Sequence, residues 1–366
     1  MSQTPELEHL SQQLYQNKQL HNERLNIATA GRTFQIRSNS AELLQRLKNY
    51  FYHIVTSDDR TDIVIVAIEG DSLNLDITFN EWRREPGKQN RKDSYYDFPG
   101  GRLLRKVRTG MVFLQSAQQR IASGPCMQND NQVINFINAQ IMNALQQRGW
   151  LICHAAGFTY HDQAIAIAGF SGGGKSTLML HMLKDERFNF LSNDRLFVQS
   201  ASNQTYAAGI PKQPRINPGT IVHNKRLHPL ISESRRETLL TMAPSALWEL
   251  EEKYDAMIPE LYGPNRICTE TPKLTQFIVL NWRHDSTEPT SLKPIDLNKR
   301  HDLLAAIVKS PGPFYQDERG DFLTGSSIAG NAQYERHLEH AAMYEAKGKI
   351  DFDNMRSQIE VMIQNA

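Results

Sequence analysis

The sequence predicts an α/β chain built around a mixed sheet, preceded by a small α+β region. Three observations predict it. Between Thr33 and Thr78 the apolar period switches from strand to helix and back to strand. Near residues 150 and 165 two apolar runs lie too close together for a crossover helix, so they must pair antiparallel. The second of these runs passes through a glycine-rich turn straight into a helical stretch.

The 366 residues, 40% hydrophobic and 22% charged, suffice for one large core or two smaller ones. With 41 Lys+Arg against 40 Asp+Glu, the net charge of +1 gives no global pull towards nucleic acid or an anionic membrane. Cys126, Cys153 and Cys268 are spaced neither as a disulfide framework nor as a metal-binding pair, which points to a reducing compartment. The start of the chain lacks a basic region followed by an apolar stretch, and no apolar run approaches the roughly 20 residues that span a bilayer. The expected location is cytoplasmic, with no membrane partner.

The first 27 or so residues are polar and Gln-rich with Leu at helical spacing, and read as a surface helix or loose arm. FQIRS then reads as a strand, AELLQRLKNYFYHIV as an amphipathic helix, and DIVIVAIEG and LNLDITF as strands of period two. Glu81 to Arg108 carries nine Lys/Arg and four Asp/Glu, with Trp82, Tyr95 and Tyr96 interleaved. This +5 stretch fits a docking surface or, more plainly, a solvated hairpin turned at Pro99-Gly100-Gly101.

DNQVINFINAQIMNALQQRG reads as a helix closed by Gly149. WLICHAAGFTY and AIAIAGF follow as the antiparallel hairpin, joined through His161-Asp162-Gln163. A soft boundary near residue 120 separates an N-terminal α+β region, 1–120, from one larger domain, 121–366. Within the latter, LWELEEKYDAMIPELYG reads as a helix and KLTQFIVLNW as an inner strand. Ala329 to Ala366 shows helical spacing with a break at Gly348, suited to ordinary packing or a homo-oligomer contact.

Gly169, Phe170, Ser171, Gly172, Gly173, Gly174, Lys175, Ser176 and Thr177 satisfy G-x-x-x-x-G-K-[ST] with a strand before and a helix after. Glycines let successive backbone N–H groups curl around a phosphate, and the helix N-terminus adds its positive dipole end. The motif implies ATP with Mg²⁺: Lys175 reaching the β- and γ-phosphates, and the Ser176 hydroxyl as metal ligand. A phosphate loop does not name the acceptor.

The surroundings narrow the choice. No parallel βαβ unit feeds the loop, and no apolar strand ends in Asp about a hundred residues later. Instead FNFLSND follows the loop helix directly and returns Asp194 to the phosphate end of the sheet. His154 lies on the hairpin 21 residues before Lys175.

This order of His154, GFSGGGKS and Asn193-Asp194 resembles the catalytic domain of HPr kinase/phosphorylase, whose core looks like that of phosphoenolpyruvate carboxykinase, and in particular the B-type HPr-kinase-related kinases. The resemblance covers residues 148–225 well and the rest of the C-terminal half loosely. It implies a P-loop kinase core over 121–366. Asp194 would be the general base towards an acceptor serine hydroxyl, and His154 would hold or tune it. By themselves, an Asp after a strand is often a cap and a His on a strand is often a core residue.

Asn193 stands where the family has a first aspartate. GIPKQPRINPGTI stands where it has E-I-R-G-x-G, aligning Arg215 with the arginine and Gln213 with the metal-side glutamate. These departures thin the metal side and weigh against a reverse phosphorolysis. Arg215 would neutralise phosphate charge or else pair with a nearby acid. Lys309-Ser310-Pro311-Gly312 faintly matches a basic Pro-Gly segment. Lys253, Asp255 and Arg266 fit substrate-side or plain surface roles equally.

The expected function is an ATP-dependent kinase acting on a hydroxyl, with a serine of a protein partner as acceptor. The same core would also serve a small-molecule hydroxyl kinase, or a slow ATP-hydrolysing switch or binding module.

Overall fold

The computed structural model describes residues 5–82, 93–170, 172–323 and 329–365. The chain is a mixed α/β protein with mixed sheets, and it divides into two compact units. One unit takes the described residues up to Gly149 together with those from Ser310 to Leu323. The other takes Trp150–Lys309 and the described residues from Ala329 onward. The division therefore falls after Gly149, not near residue 120, and a short later segment returns to the first unit.

The first unit is built on an eight-stranded sheet. Helix α1 (Pro5–Tyr15) precedes strands β1 (Arg24–Thr29) and β2 (Arg32–Ser38), a hairpin closed by Ala30 and Gly31. Both turn residues have positive φ, 54° and 65°, as a two-residue turn matching the strand twist requires. Helix α2 (Ala41–Tyr50), capped by the Ser40 side chain accepting from Leu43 N, then crosses to β3 (Ile63–Glu69), which lies parallel to β2. Strands β4 (Asn80–Glu81), β5 (Asp93–Phe98), β6 (Gly101–Lys106), β7 (Val112–Ser116) and β8 (Arg120–Gly124) complete the order β1-β2-β3-β8-β7-β6-β5-β4. Because β8 sits between β3 and β7, a boundary at residue 120 would cut this sheet through its middle. Helix α3 (Asp130–Gln146) belongs here too, its Phe136 ring 5.1 Å from Phe113 of β7.

Three expectations for this region change. The N-terminal stretch is the helix of the two readings and not a loose arm, and it is docked: Leu7, Leu10 and Leu14 of α1 are buried with Val66, Ile68 and Leu114 of the sheet. LNLDITF forms no strand; Leu75 is buried and Ile77 and Phe79 pack on the same cluster, so its period-two pattern serves packing without a ladder. The basic stretch does form the expected hairpin of β5 and β6, but Arg102 is wholly buried, paired with Asp97 and donating to the carbonyls of Pro313 and Leu323. Residues 83–92 of that stretch lie outside the described residues.

The second unit carries a nine-stranded mixed sheet. Its strands are β9 (Leu151–Cys153), β10 (Ala155–Tyr160), β11 (Gln163–Gly169), β12 (Phe188–Ser192), β13 (Leu196–Ala201), β14 (Gln204–Ala208), β17 (Lys273–Leu280), β18 (Ser291–Pro294) and β19 (Ala342–Lys347); β15 (Arg215–Ile216) and β16 (Tyr254–Asp255) form a separate pair. β10 and β11 make the expected hairpin, from Ala155↔Ala168 to Tyr160↔Gln163. β11 runs parallel to β17, and β17 parallel to β19.

Side chains alternate across this sheet. Phe158, Ile165, Ile167 and Ile278 pack towards helix α4 (Lys175–Met182) and the helix Phe352–Gln364. Ala164, Ala166, Phe277 and Val279 face Leu303, Leu304, Tyr334 and Leu338 on the other side. Both faces of the central strands are thus dry, which explains their nearly continuous apolar sequence.

KLTQFIVL is the expected inner strand. LWELEEKYDAMIPELYG is not one helix: it is the short helices Pro244–Glu249 and Ile258–Tyr262 separated by β16. Likewise Ala329 onward is helix, strand, helix, because AMYEAK enters the sheet as β19 with Met343 and Ala346 buried. No helix among the described residues is long and apolar enough to cross a membrane.

Candidate phosphate-binding site

The glycine-rich loop leaves the carboxyl end of β11 and enters α4 at Lys175. Gly172 and Gly174 have φ of 77° and 84°, a region that side chains other than glycine adopt at a cost. The Gly173 N–H donates to the Phe170 carbonyl, the Trp282 indole N–H donates to the Gly173 carbonyl at 2.9 Å, and Phe170 is exposed. Ser171 lies outside the described residues. At the start of α4 the first N–H groups have no intrahelical acceptor, so they are available to an anion.

Lys175 is buried and its Nζ donates to the Gly169 carbonyl at 3.0 Å. Burial pushes its amine down to about 8, with Lys309 adding to the effect and Asp194 opposing it. Ser176 Oγ donates to Asn193 Oδ1 at 2.7 Å, which leaves the hydroxyl oxygen's lone pairs for another partner. Thr177 Oγ1 lies 2.7 Å from Thr220 Oγ1 and ties α4 to the segment after β15.

His154 occupies the break between β9 and β10, where the chain stops pairing with β13 and begins pairing with β11 and β12. The register Leu196↔Cys153 brings the turn between β12 and β13 alongside it. Asp194 sits in that turn with φ of 68°, a left-handed conformation that Asp tolerates better than most residues.

Its carboxylate receives two contacts: His154 Nε2 at 3.2 Å on Oδ1 and Lys309 Nζ at 3.0 Å on Oδ2. Arg195 Nε stands 4.0 Å away. Desolvation pushes this carboxyl up, but the His154 hydrogen bond, Lys309 and Arg195 outweigh it and hold Asp194 well below the usual carboxylate range. Burial lowers the His154 imidazole, Asp194 opposes it, and Lys175 and Lys309 reinforce it. A neutral His154 beside an ionised Asp194 carries its proton on Nε2.

Lys309 reaches Asp194 because the segment before it is fastened to β9. His154 N–H donates to the Ile307 carbonyl at 2.6 Å, and Val308 bridges Cys153. The Tyr334 hydroxyl accepts from Lys309 N and donates to the Ile152 carbonyl.

Asp194 thus joins His154 and Lys309 directly, Ser176 bonds Asn193, the residue before it, and Lys175 lies close enough to feel the charges of Asp194 and Lys309. Arg215 lies on β15, its Nε 3.0 Å from Asp255 Oδ1 on β16, the acid-paired arrangement. Gln213 is buried and accepts from Ile258 N. Arg266 is buried and donates to the carbonyls of Tyr262, Leu183, Asp185 and Phe188, so it serves as internal scaffolding. Lys309, Trp282 and Thr220 were not singled out as site residues. Only Lys309 had a local signal, its Lys-Ser-Pro-Gly context.

No protein-family model matches the chain, and no curated protein matches it. Among solved structures, the HPr(Ser) kinase/phosphatase from Coxiella burnetii is similar at 14% identity over 58% of this chain and 94% of that one, with a TM-score of 0.28.

Proposed function

We propose that the 169–177 loop binds the triphosphate of ATP and that the chain transfers the γ-phosphate to a hydroxyl, a serine of a protein partner being the acceptor. The observation that carries this reading is the ionised Asp194 held between His154 and Lys309 in the same cluster as Lys175 and Ser176. A phosphate-binding lysine, a hydroxyl ready for a cation and a fixed carboxylate are the parts that phosphoryl transfer to an alcohol needs.

The residues fit Mg²⁺: with its proton committed to Asn193, Ser176 Oγ can offer a lone pair. With the Ser176 hydroxyl as a ligand, Mg²⁺ would supply charge neutralisation at the phosphates. Lys175 would hold the β- and γ-phosphates. Asp194 would accept the hydroxyl proton as the new O–P bond forms and the bond between the γ-phosphorus and the bridging oxygen breaks, leaving ADP.

A carboxylate held so far down is a weak base. The phosphates would attract Lys309 away from it, and the loss of that cation would raise Asp194 towards a useful basicity. His154 would keep the carboxylate oriented throughout. The Asp194 side chain is 48% exposed, so a hydroxyl presented on another protein can approach it. Three free cysteines suit a reducing, cytoplasmic setting for this activity.

The test incubates the purified chain with γ-labelled ATP, Mg²⁺ and cell lysate. A labelled protein band that disappears with Lys175→Ala supports the reading. A labelled small molecule would move the acceptor to another class, and release of free phosphate alone would make the chain a switch.

A further inference from the structure

Trp248 lies outside the motif and outside the cluster around Asp194, yet it stands at the crest of the phosphate loop. A Cβ built at Gly172 would lie 3.7 Å from its Nε1, so the nitrogen edge of the indole, not its apolar edge, faces the loop. Trp248 is 37% exposed, and among the described residues its N–H has no hydrogen-bond partner. An indole N–H is a donor only and seeks an acceptor wherever water is partly excluded.

The position of the ring is determined by neighbours. Leu247, next to it, is buried with Val222 and Leu239. A Cβ at Gly219 would lie 3.5 Å from the Leu247 carbonyl, so the short helix Pro244–Glu249 rests on the segment starting at Pro218. That segment is tied to the first turn of α4 through Thr220 and Thr177. His284 closes the other side, its ring perpendicular to the indole at a centroid distance of 4.0 Å. The second nearby indole, Trp282, already spends its N–H on the Gly173 carbonyl.

We propose that Trp248 is a further polyphosphate ligand, donating its Nε1–H to a phosphate oxygen of the nucleotide held by the loop. This rests on the nucleotide reading above and adds a donor that the glycine-rich motif does not contain. A large exposed aromatic beside an anion site would otherwise be read as a base-stacking platform. The direction of the nitrogen towards Gly172 favours the phosphate chain over the base. A hydrogen bond to a charged acceptor in such a site corresponds to about a tenfold or larger change in affinity.

The experiment measures calorimetric affinities of the full chain, wild type and Trp248→Phe, for MgATP, Mg-tripolyphosphate and adenosine. Phe keeps an aromatic face and removes only the donor. Both polyphosphates are expected to bind about tenfold more weakly to the variant, with adenosine affected equally little in both proteins. If Trp248→Phe binds both polyphosphates as the wild type does, or if adenosine is weakened as much as they are, the assignment of Trp248 falls while the nucleotide reading stands. If the wild type binds no MgATP, the nucleotide reading itself falls and the assignment with it.

Discussion

Lys309 Nζ donates to Asp194 Oδ2 at 3.0 Å across 115 residues of chain, and Asp194 holds His154 on its other oxygen. One carboxylate therefore joins the break between β9 and β10, the turn after β12 and the segment that follows the short helix Leu304–Ile307. The pairing also explains the electrostatics, since Lys309 lowers Asp194, His154 and Lys175 at once. Removing it should raise all three.

Lys309→Met is the first variant to make. Losing a cation at this distance typically moves a carboxyl by about one to three pH units. The acid limb of kcat/KM, which reports the nucleotide-free chain, should shift upward by about one unit or more, while that of kcat, where the phosphates already draw Lys309 away, should move less. An acid limb unmoved by the substitution would mean that Lys309 does not set the ionisation of Asp194.

Asp194→Asn separates proton acceptance from folding. Asn tolerates the left-handed φ of 68° as well as Asp does, so the turn should survive. Phosphoryl transfer should fall by roughly 10² to 10⁴, with nucleotide binding nearly retained. Collapse of MgATP affinity in this variant would make Asp194 a metal or charge partner and not the base.

Much of this site was legible in the sequence, for physical reasons that particular residues display. The strand AIAIAG, the glycines at 172 and 174 and the helix after them announce themselves because backbone needs fix residue type locally. The hairpin partner of β11 followed from spacing alone. Contacts made by docking were not legible: Lys309 meets Asp194 only because Val308 bridges Cys153 and Tyr334 secures Ile152. AMYEAK looked helical since its charged residues hide an inner strand, where buried Glu345 is neutralised by Arg300 and Lys347. Arg215 carried a motif-like loop context, yet it pairs with Asp255, a partner 40 residues later that nothing nearby in the sequence indicates.

Lys175 gives a pH test of the loop. Its amine loses its charge near pH 8 in the nucleotide-free chain, because burial disfavours the ammonium. The charged form binds phosphate, so affinity should be full below pH 8 and fall by up to about tenfold per unit above it. Lys175→Arg stays charged throughout and should bind more weakly without that slope. Parallel curves for the two proteins between pH 7 and 9.5 would exclude Lys175 as the group responsible.

His53, in the first unit, predicts a separate acid sensitivity. Both of its ring nitrogens are buried without a hydrogen-bond partner among the described residues, in the short turn Tyr52–Ile54, with the Tyr52 ring 5.5 Å away. Burial pushes the imidazole down to about 4, since an imidazolium there would have two donors and no acceptor. The unfolded chain takes up this proton near pH 6.5 and the folded chain only near 4. Across that window the unfolded state binds more protons, so stability rises with pH and is lost progressively as pH falls from about 6.5 towards 4. Below about 4 both states are protonated and the loss stops growing. Urea midpoints of the wild type and His53→Phe at pH 7.5, 5.5 and 4.5 isolate this contribution from the carboxylates common to both. The difference in stability between them should move in favour of the variant as pH falls; a difference constant over that range would show that His53 does not titrate as its burial requires.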